Sequence, residues 1–185
     1  MTTAHTTLPT RGLAIGRAQI TDGADLWRIA RDSGELDVNS PYSYLLWCRD
    51  FADTTAVARD AGGRAVGFVT GYLRPEAPHT LFVWQVAVDG SYRGSGVAGA
   101  LLDALTSRVA AERGLSRVEA TVTPGNVASD RLFRSFARRH GAAVTREVLF
   151  ASAVFPGGSA TDVDHEPEVL YRIGPLTPSA PEALT

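Results

Sequence analysis

The sequence predicts a mixed α+β fold: a central sheet flanked by helices, with one parallel crossover in its middle. Three observations lead there. Two β-rich runs flank a Gly62-Gly63 turn, and an unbroken apolar run from Leu81 to Val88 follows them. Downstream, two stretches of helical periodicity alternate with short strands.

Taken in order, Asp22 to Arg31 opens a helix with Asp22 as its cap and Leu26, Ile29 and Ala30 on one face. Pro41 starts a second helix behind Ser40, carrying Tyr44, Leu45 and Trp47. Thr54–Arg59 and Ala65–Leu73 form a hairpin, and Pro75 to Pro78 breaks the pattern. Leu81–Val88 reads as a central strand with both faces buried. Ala98–Arg113 is a helix through Leu101, Leu102, Leu105 and Val109, ended by Gly114. Val118–Val122 is a strand, Asn126–His140 a helix, and Ala143–Leu149 and Glu168–Ile173 two late strands around an irregular stretch. Residues 17–176 are expected to form one domain, with residues 1–16 and 177–185 as flexible tails.

Composition narrows the function. The chain has 185 residues and a formal net charge of −2, which does not suit a general nucleic-acid or membrane-surface binder. No apolar stretch approaches the roughly 20 residues that span a bilayer. The polar N-terminus lacks a signal-peptide core. Cys48 is the only cysteine, so no intrachain disulfide forms, and a cytoplasmic location is expected. The four histidines and one cysteine show no metal-ligand spacing, so no metal is expected. There is no lysine, which base-composition bias accounts for.

The strongest signal is Gln85-Val86-Ala87-Val88-Asp89-Gly90-Ser91-Tyr92-Arg93-Gly94-Ser95-Gly96-Val97-Ala98. A buried strand leads into glycines that open a helix. Backbone N–H groups in such a turn, added to the orphan N–H groups of the helix N-terminus, cradle phosphate. Arg93 adds a cation at the rim. The stretch also matches a dinucleotide fingerprint at Gly94, Gly96 and Gly99, with Glu119 where a ribose ligand would stand. Against that reading, five residues separate the strand from the first glycine. Glu119 also falls inside its strand, and only one βαβ unit is visible.

Tyr92-Arg93-Gly94-Ser95-Gly96 is similar to the diphosphate loop of the GNAT acetyltransferase superfamily, with Ser91 departing from the expected Gln or Arg. Asn126, Ser129 and Phe133 resemble its second motif, whose residues face the pantetheine arm. Leu36-Asp37-Val38-Asn39-Ser40-Pro41-Tyr42, Leu81 to Val88, Thr121 to Asn126 and His165 to Pro175 further resemble the diaminobutyrate acetyltransferases of ectoine biosynthesis. The resemblance runs from about Arg17 to Leu176. It implies a GNAT fold, acetyl-CoA as co-substrate, a homodimer, and acetylation of the distal amine of L-2,4-diaminobutyrate.

The resemblance also implies residue roles. Val86, Val88, Arg93, Gly94, Ser95, Gly96, Val97, Ala98, Asn126, Ser129 and Phe133 contact the cofactor. Asp37 and Glu168 pair with the ammonium groups, and Tyr42, Trp84 and Gln85 line the amine site. His165 binds the carboxylate or relays a proton. Glu168 or His165 is the base, and the backbone N–H near Val86 holds the oxyanion at a bulge. Phe133 stands where many members carry a tyrosine that protonates the leaving thiolate. Another group therefore serves as acid, or the thiolate, with an ordinary pKa near 8.5, leaves unassisted. The residues by themselves leave alternatives open. Asp37 fits a turn cap, Tyr42 and Trp84 fit core aromatics, His165 and Glu166 fit a solvated acidic loop, and Glu168 fits an edge-strand surface. Other functions also remain: a GNAT enzyme for a polyamine or aminoglycoside, or an acyl-CoA-binding module without turnover.

Overall fold

The computed structural model describes residues 12–155 and 165–176. The elements are β1 (Ala14–Arg17), α1 (Gly23–Ser33), α2 (Pro41–Asp50), β2 (Thr55–Arg59), β3 (Ala65–Arg74), β4 (Ala77–Val88), α3 (Val97–Arg113), β5 (Arg117–Val122), α4 (Val127–Arg139), β6 (Ala143–Phe150) and β7 (Glu168–Gly174). The sheet order is β1-β2-β3-β4-β5-β7-β6. The chain divides into two compact units. One holds the residues up to Tyr72 and Trp84–Ser107; the other holds Leu73–Val83 and the residues from Arg108 onward.

In the first unit, β1, β2 and β3 pair antiparallel, with Ala14 opposite Arg59 and Thr55 opposite Thr70. β1 corrects the expectation that residues 1–16 are a tail, because Ala14–Gly16 lie in this strand. Four residues with a glycine among them carry no strand pattern of their own; pairing with β2 holds them. Arg59 adds to this by donating from Nη2 to the Arg17 carbonyl at 2.9 Å. Arg59 also grips Asp22, from Nε at 3.0 Å and Nη2 at 2.5 Å, and the Asp22 carboxylate accepts the Gln19 N–H. Asp22 precedes α1 as expected, but its side chain makes no cap bond there. Residues 1–11 and the expected C-terminal tail lie outside the described residues.

The turn between β2 and β3 is built by Asp60, whose Oδ1 accepts from the Gly62 and Arg64 N–H groups. β4 begins four residues before the expected Leu81. Pro78 sits second in the strand and is exposed, a place where its missing N–H is tolerated. α1 lies against α2. Leu26, Ile29, Ala30, Tyr44, Cys48, Val57, Phe68 and Ala87 form one buried cluster. Burying such side chains is the main stabilising term, about 1.5–3 kcal/mol for each large one.

In the second unit, β4 and β5 run parallel, from Thr80 opposite Arg117 to Val83 opposite Ala120. This is the expected crossover, made through α3. β7 then inserts antiparallel between β5 and β6. Glu168 therefore begins an interior strand, which removes the edge-strand reading of that residue. α4 lies against β6 and β7. Among the described residues, no helix is long and apolar enough to cross a membrane.

One carboxylate is buried inside this unit's sheet. Glu119 is 2% exposed and is held by Arg74 at 2.9 Å and Arg172 at 3.3 Å. Arg172 continues the chain of charges to Glu147 at 2.6 Å. A carboxylate this dry requires such partners. The arginines are more than a third exposed, so solvent screening reduces what the pairs contribute. Glu119→Ala is expected to cost about 2 kcal/mol, or roughly 4–8 °C in melting temperature, measured by thermal unfolding. A change below about 1 °C would show that the network contributes nothing.

Candidate active site

The end of β4 turns into the glycine loop under strict local control. The Asp89 backbone N–H donates to the Val66 carbonyl at 2.8 Å. Its Oδ1 accepts from the Ser91 N–H at 3.2 Å and the Ser91 hydroxyl at 2.8 Å. Its Oδ2 takes the Arg28 Nη1 at 2.7 Å. Ser91, the departure from the superfamily pattern, thus has a structural use: it closes the turn on Asp89. The Arg28 guanidinium and the Ser91 hydroxyl hold the Asp89 carboxyl well below its ordinary value, at about 2.

Gly94 and Gly96 have φ of 76° and 85°, the left-handed region that side chains disfavour. A Cβ at either would meet nothing within 4 Å. The glycines are needed for conformation, and the space beside them stays open. The Ser95 hydroxyl donates to the Tyr92 carbonyl at 2.5 Å, and the Gly96 carbonyl accepts the Ala100 N–H at 3.0 Å. The first-turn N–H groups of α3, including those of Val97 and Ala98, therefore precede the helical ladder and suit an anion. Arg93 is exposed; its Nε donates to the Val88 carbonyl and its Nη2 to the Ser33 carbonyl.

The expected amine-site residues of this unit are Asp37, Tyr42, Trp84 and Gln85. Tyr42 is 66% and Trp84 50% exposed, so neither is a core aromatic. Asp37 is exposed, in the segment between α1 and α2. Gln85 is buried: its Nε2 donates to the Asp37 carbonyl at 3.0 Å and its Oε1 accepts the Tyr44 hydroxyl at 3.1 Å. The structure brings Gln85 and Asp37 together through the Asp37 backbone. Val86 and Val88 are half-buried in β4.

In the second unit, Asn126 caps α4, its Oδ1 accepting the Ser129 N–H at 2.9 Å. Phe133 is buried, with its ring centroid 6.4 Å from that of Tyr171. The Tyr171 hydroxyl donates to Asp130 at 2.7 Å. Burial first, then that carboxylate, pushes the Tyr171 phenol up. The His165 ring stacks on Phe155 at 3.8 Å and 13°. Its Nδ1 lies 2.7 Å from the Glu166 carbonyl, which only accepts, so Nδ1 carries a proton and Nε2 is the nitrogen left for a ligand. Glu168 is half-buried two residues beyond Glu166, at the start of β7. Among the described residues, no group of three or more His, Cys, Asp or Glu is placed to hold a metal.

Sequence reasoning missed Arg28 and Tyr44. Tyr44 and Cys48, four apart, are the buried positions of α2, and that spacing is the signal that marks its inward face.

The depressed Asp89 carboxyl makes an acid-stability prediction. A carboxyl lowered on folding adds stability that is present above its unfolded value, near 3.8, and is lost as pH falls through about 2. The stability gap between wild type and Asp89→Asn is therefore expected to be full above about pH 4, at about 1–2 kcal/mol, and to close toward pH 2. Urea unfolding across that range measures it; a gap independent of pH would reject the Arg28 pairing as its source.

Comparison with known proteins identifies the family. The family model described as Acetyltransferase (GNAT) family matches residues 23–137. The L-2,4-diaminobutyric acid acetyltransferase of Streptomyces avermitilis is 59% identical, covering 96% of this chain and 99% of the relative. That of Streptomyces coelicolor is 64% identical, over 89% and 94% respectively. Among solved structures, the diaminobutyrate acetyltransferase EctA from Paenibacillus lautus, in complex with L-2,4-diaminobutyric acid and coenzyme A, superposes with a TM-score of 0.81. It is 39% identical over 91% of this chain and 98% of that one. The chain belongs to the GNAT acetyltransferase family and, within it, to the L-2,4-diaminobutyric acid acetyltransferases.

Proposed function

We propose that the protein transfers the acetyl group of acetyl-CoA to the distal amine of L-2,4-diaminobutyrate, forming the Nγ-acetyl product on the route to the osmolyte ectoine. The observation that carries this reading is the likeness, over nearly the whole chain, to a solved enzyme that holds diaminobutyric acid and coenzyme A. The site chemistry supports it. A short diamino acid needs anions for its ammonium groups and a donor for its carboxylate. Asp37 and Glu168 supply the anions, and His165 either donates to the carboxylate from a protonated Nε2 or relays the proton. Tyr42 and Trp84 offer exposed aromatic faces to a cation. Gln85, with both ends of its amide engaged, lines the site by holding Asp37 rather than by reaching the amine.

Acetyl-CoA is bound through its diphosphate by Arg93, Gly94, Ser95, Gly96, Val97 and Ala98. Val86, Val88, Asn126, Ser129 and Phe133 serve the pantetheine arm and the acetyl group. The reaction is direct attack in a ternary complex. Glu168, or His165 through Nε2, takes a proton from the ammonium, whose ordinary pKa is about 10. The amine nitrogen then bonds to the thioester carbon, and the backbone N–H near Val86 receives the oxyanion. Collapse breaks the C–S bond as the nitrogen gives its second proton to solvent, and the departing thiolate takes a proton from solvent, since Phe133 has none to give.

Cys48 does not compete as a nucleophile. It is 2% exposed in α2, and burial pushes its thiol up to about 11. A free cysteine and the need for acetyl-CoA favour work in the cytoplasm. A homodimer is the proposed assembly. β6 lies at the sheet edge, with Val148 58% and Phe150 47% exposed, and a second copy of the chain would cover them.

Thiol release from acetyl-CoA with diaminobutyrate, lysine, ornithine and spermidine tests the function. Selective release with diaminobutyrate is expected. Turnover of another amine alone keeps the family and rejects this substrate, and binding of CoA with no turnover indicates a binding module. Glu168→Gln is expected to lower kcat roughly 100-fold or more, and kcat within about twofold of wild type moves the base role to His165. Cys48→Ala is expected to keep kcat within about twofold, measured by the same assay; a tenfold loss in a folded variant would argue for an acetyl-enzyme.

A further inference from the structure

Tyr44 is fully buried in α2, with its ring edge-on to Phe68, yet its hydroxyl is heavily used. It donates to Gln85 Oε1 at 3.1 Å. Gln85, itself 7% exposed, completes the circuit from Nε2 to the Asp37 carbonyl at 3.0 Å. The direction of both bonds follows. The Asp37 carbonyl only accepts, so the Gln85 carboxamide presents its nitrogen there and its oxygen to the phenol, which must donate. Tyr44, Gln85 and the Asp37 carbonyl thus form a directed hydrogen-bonded chain that ends on the segment before α2. This short segment has little else to hold it: Asp37 is exposed and Val38 is 46% exposed.

We propose that Tyr44 is a positioning residue for the amine substrate: with Gln85 it clamps the Asp37–Asn39 segment and so fixes the carboxylate that receives the substrate ammonium. The inference rests on the reading of Asp37 as an ammonium partner. An unclamped segment would have to be ordered by the substrate, and that entropy would be taken from binding.

Tyr44→Phe removes the hydroxyl and keeps the ring packing. In the full chain it is expected to raise KM for diaminobutyrate roughly tenfold while KM for acetyl-CoA stays within about twofold. The NMR order parameter of the Asp37 backbone amide is expected to fall from about 0.85 to below about 0.6. Because the chain of bonds acts as a unit, adding Gln85→Leu to Tyr44→Phe should raise KM by no more than about twofold again. Unchanged KM values with an unchanged Asp37 order parameter would overturn the clamp, as would an equal rise of KM for both substrates. If Tyr44→Phe fails to fold, Gln85→Leu alone is read by the same two measurements. If the wild-type enzyme proves to acetylate a different amine, the substrate assignment fails separately, and the clamp is judged on the KM of that amine and on the Asp37 order parameter.

Discussion

The ion pair between Arg28 and Asp89 is the interaction on which the first unit's chemistry depends. One guanidinium serves three elements: it donates to Asp25 on α1, to the Ala65 carbonyl at the start of β3, and to Asp89 just past the end of β4. Arginine suits this because its donors form a rigid fork, which an ammonium on a flexible stem does not. With Asp89 fixed and ionised, Ser91 is drawn into the turn, and the chain arrives at Gly94 and Gly96 in a set direction. The direction in which the chain enters α3 is thus a consequence of a charge placed 61 residues earlier on another helix. Ser91 closes this turn through its N–H and its short hydroxyl, both on Asp89 Oδ1.

The second unit handles charge differently. It buries a carboxylate within the sheet and dresses it with two arginines, of which one passes the charge on to a further glutamate. Such a chain adds little net stability but strongly opposes register slips, because a one-residue shift would strand Glu119 on the wrong face. β7, which carries Glu168 at its start, is held in this register from both sides. The base proposed for proton removal is therefore mounted on an interior strand, a firmer support than a loop or an edge. Phe133 and Tyr171 show a related economy: the tyrosine hydroxyl near the superfamily's acid position is committed to Asp130 and serves packing.

Most elements were legible because their patterns are long. The β4 run, the α3 and α4 periodicities and the Gly62-Gly63 turn each state one conformation over many residues. β1 was not legible, since Ala-Ile-Gly-Arg has neither length nor alternation and exists through its partner strand. The insertion of β7 between β5 and β6 was equally hidden, because adjacency in sequence favours β6 beside β5. In the site, exposed chemistry was easier to read than its support. Asp37, Tyr42 and Trp84 stand out as residue types, whereas Tyr44 looks like a neighbouring core aromatic until its hydroxyl is followed to Gln85 and, through it, to the Asp37 carbonyl. Arg28 is similar: on a helix rich in charged residues, nothing local separates it from Arg31.

The two loop glycines carry a stereochemical consequence. At φ of 76° and 85° with nothing near the missing Cβ, Gly94 and Gly96 are refused to ordinary side chains by handedness alone, not by crowding. A mirror-image alanine would find the same backbone comfortable, and its methyl would project into open space. The loop is in effect built from residues of the opposite hand, a conformation to which the genetic code gives access only through the one achiral amino acid.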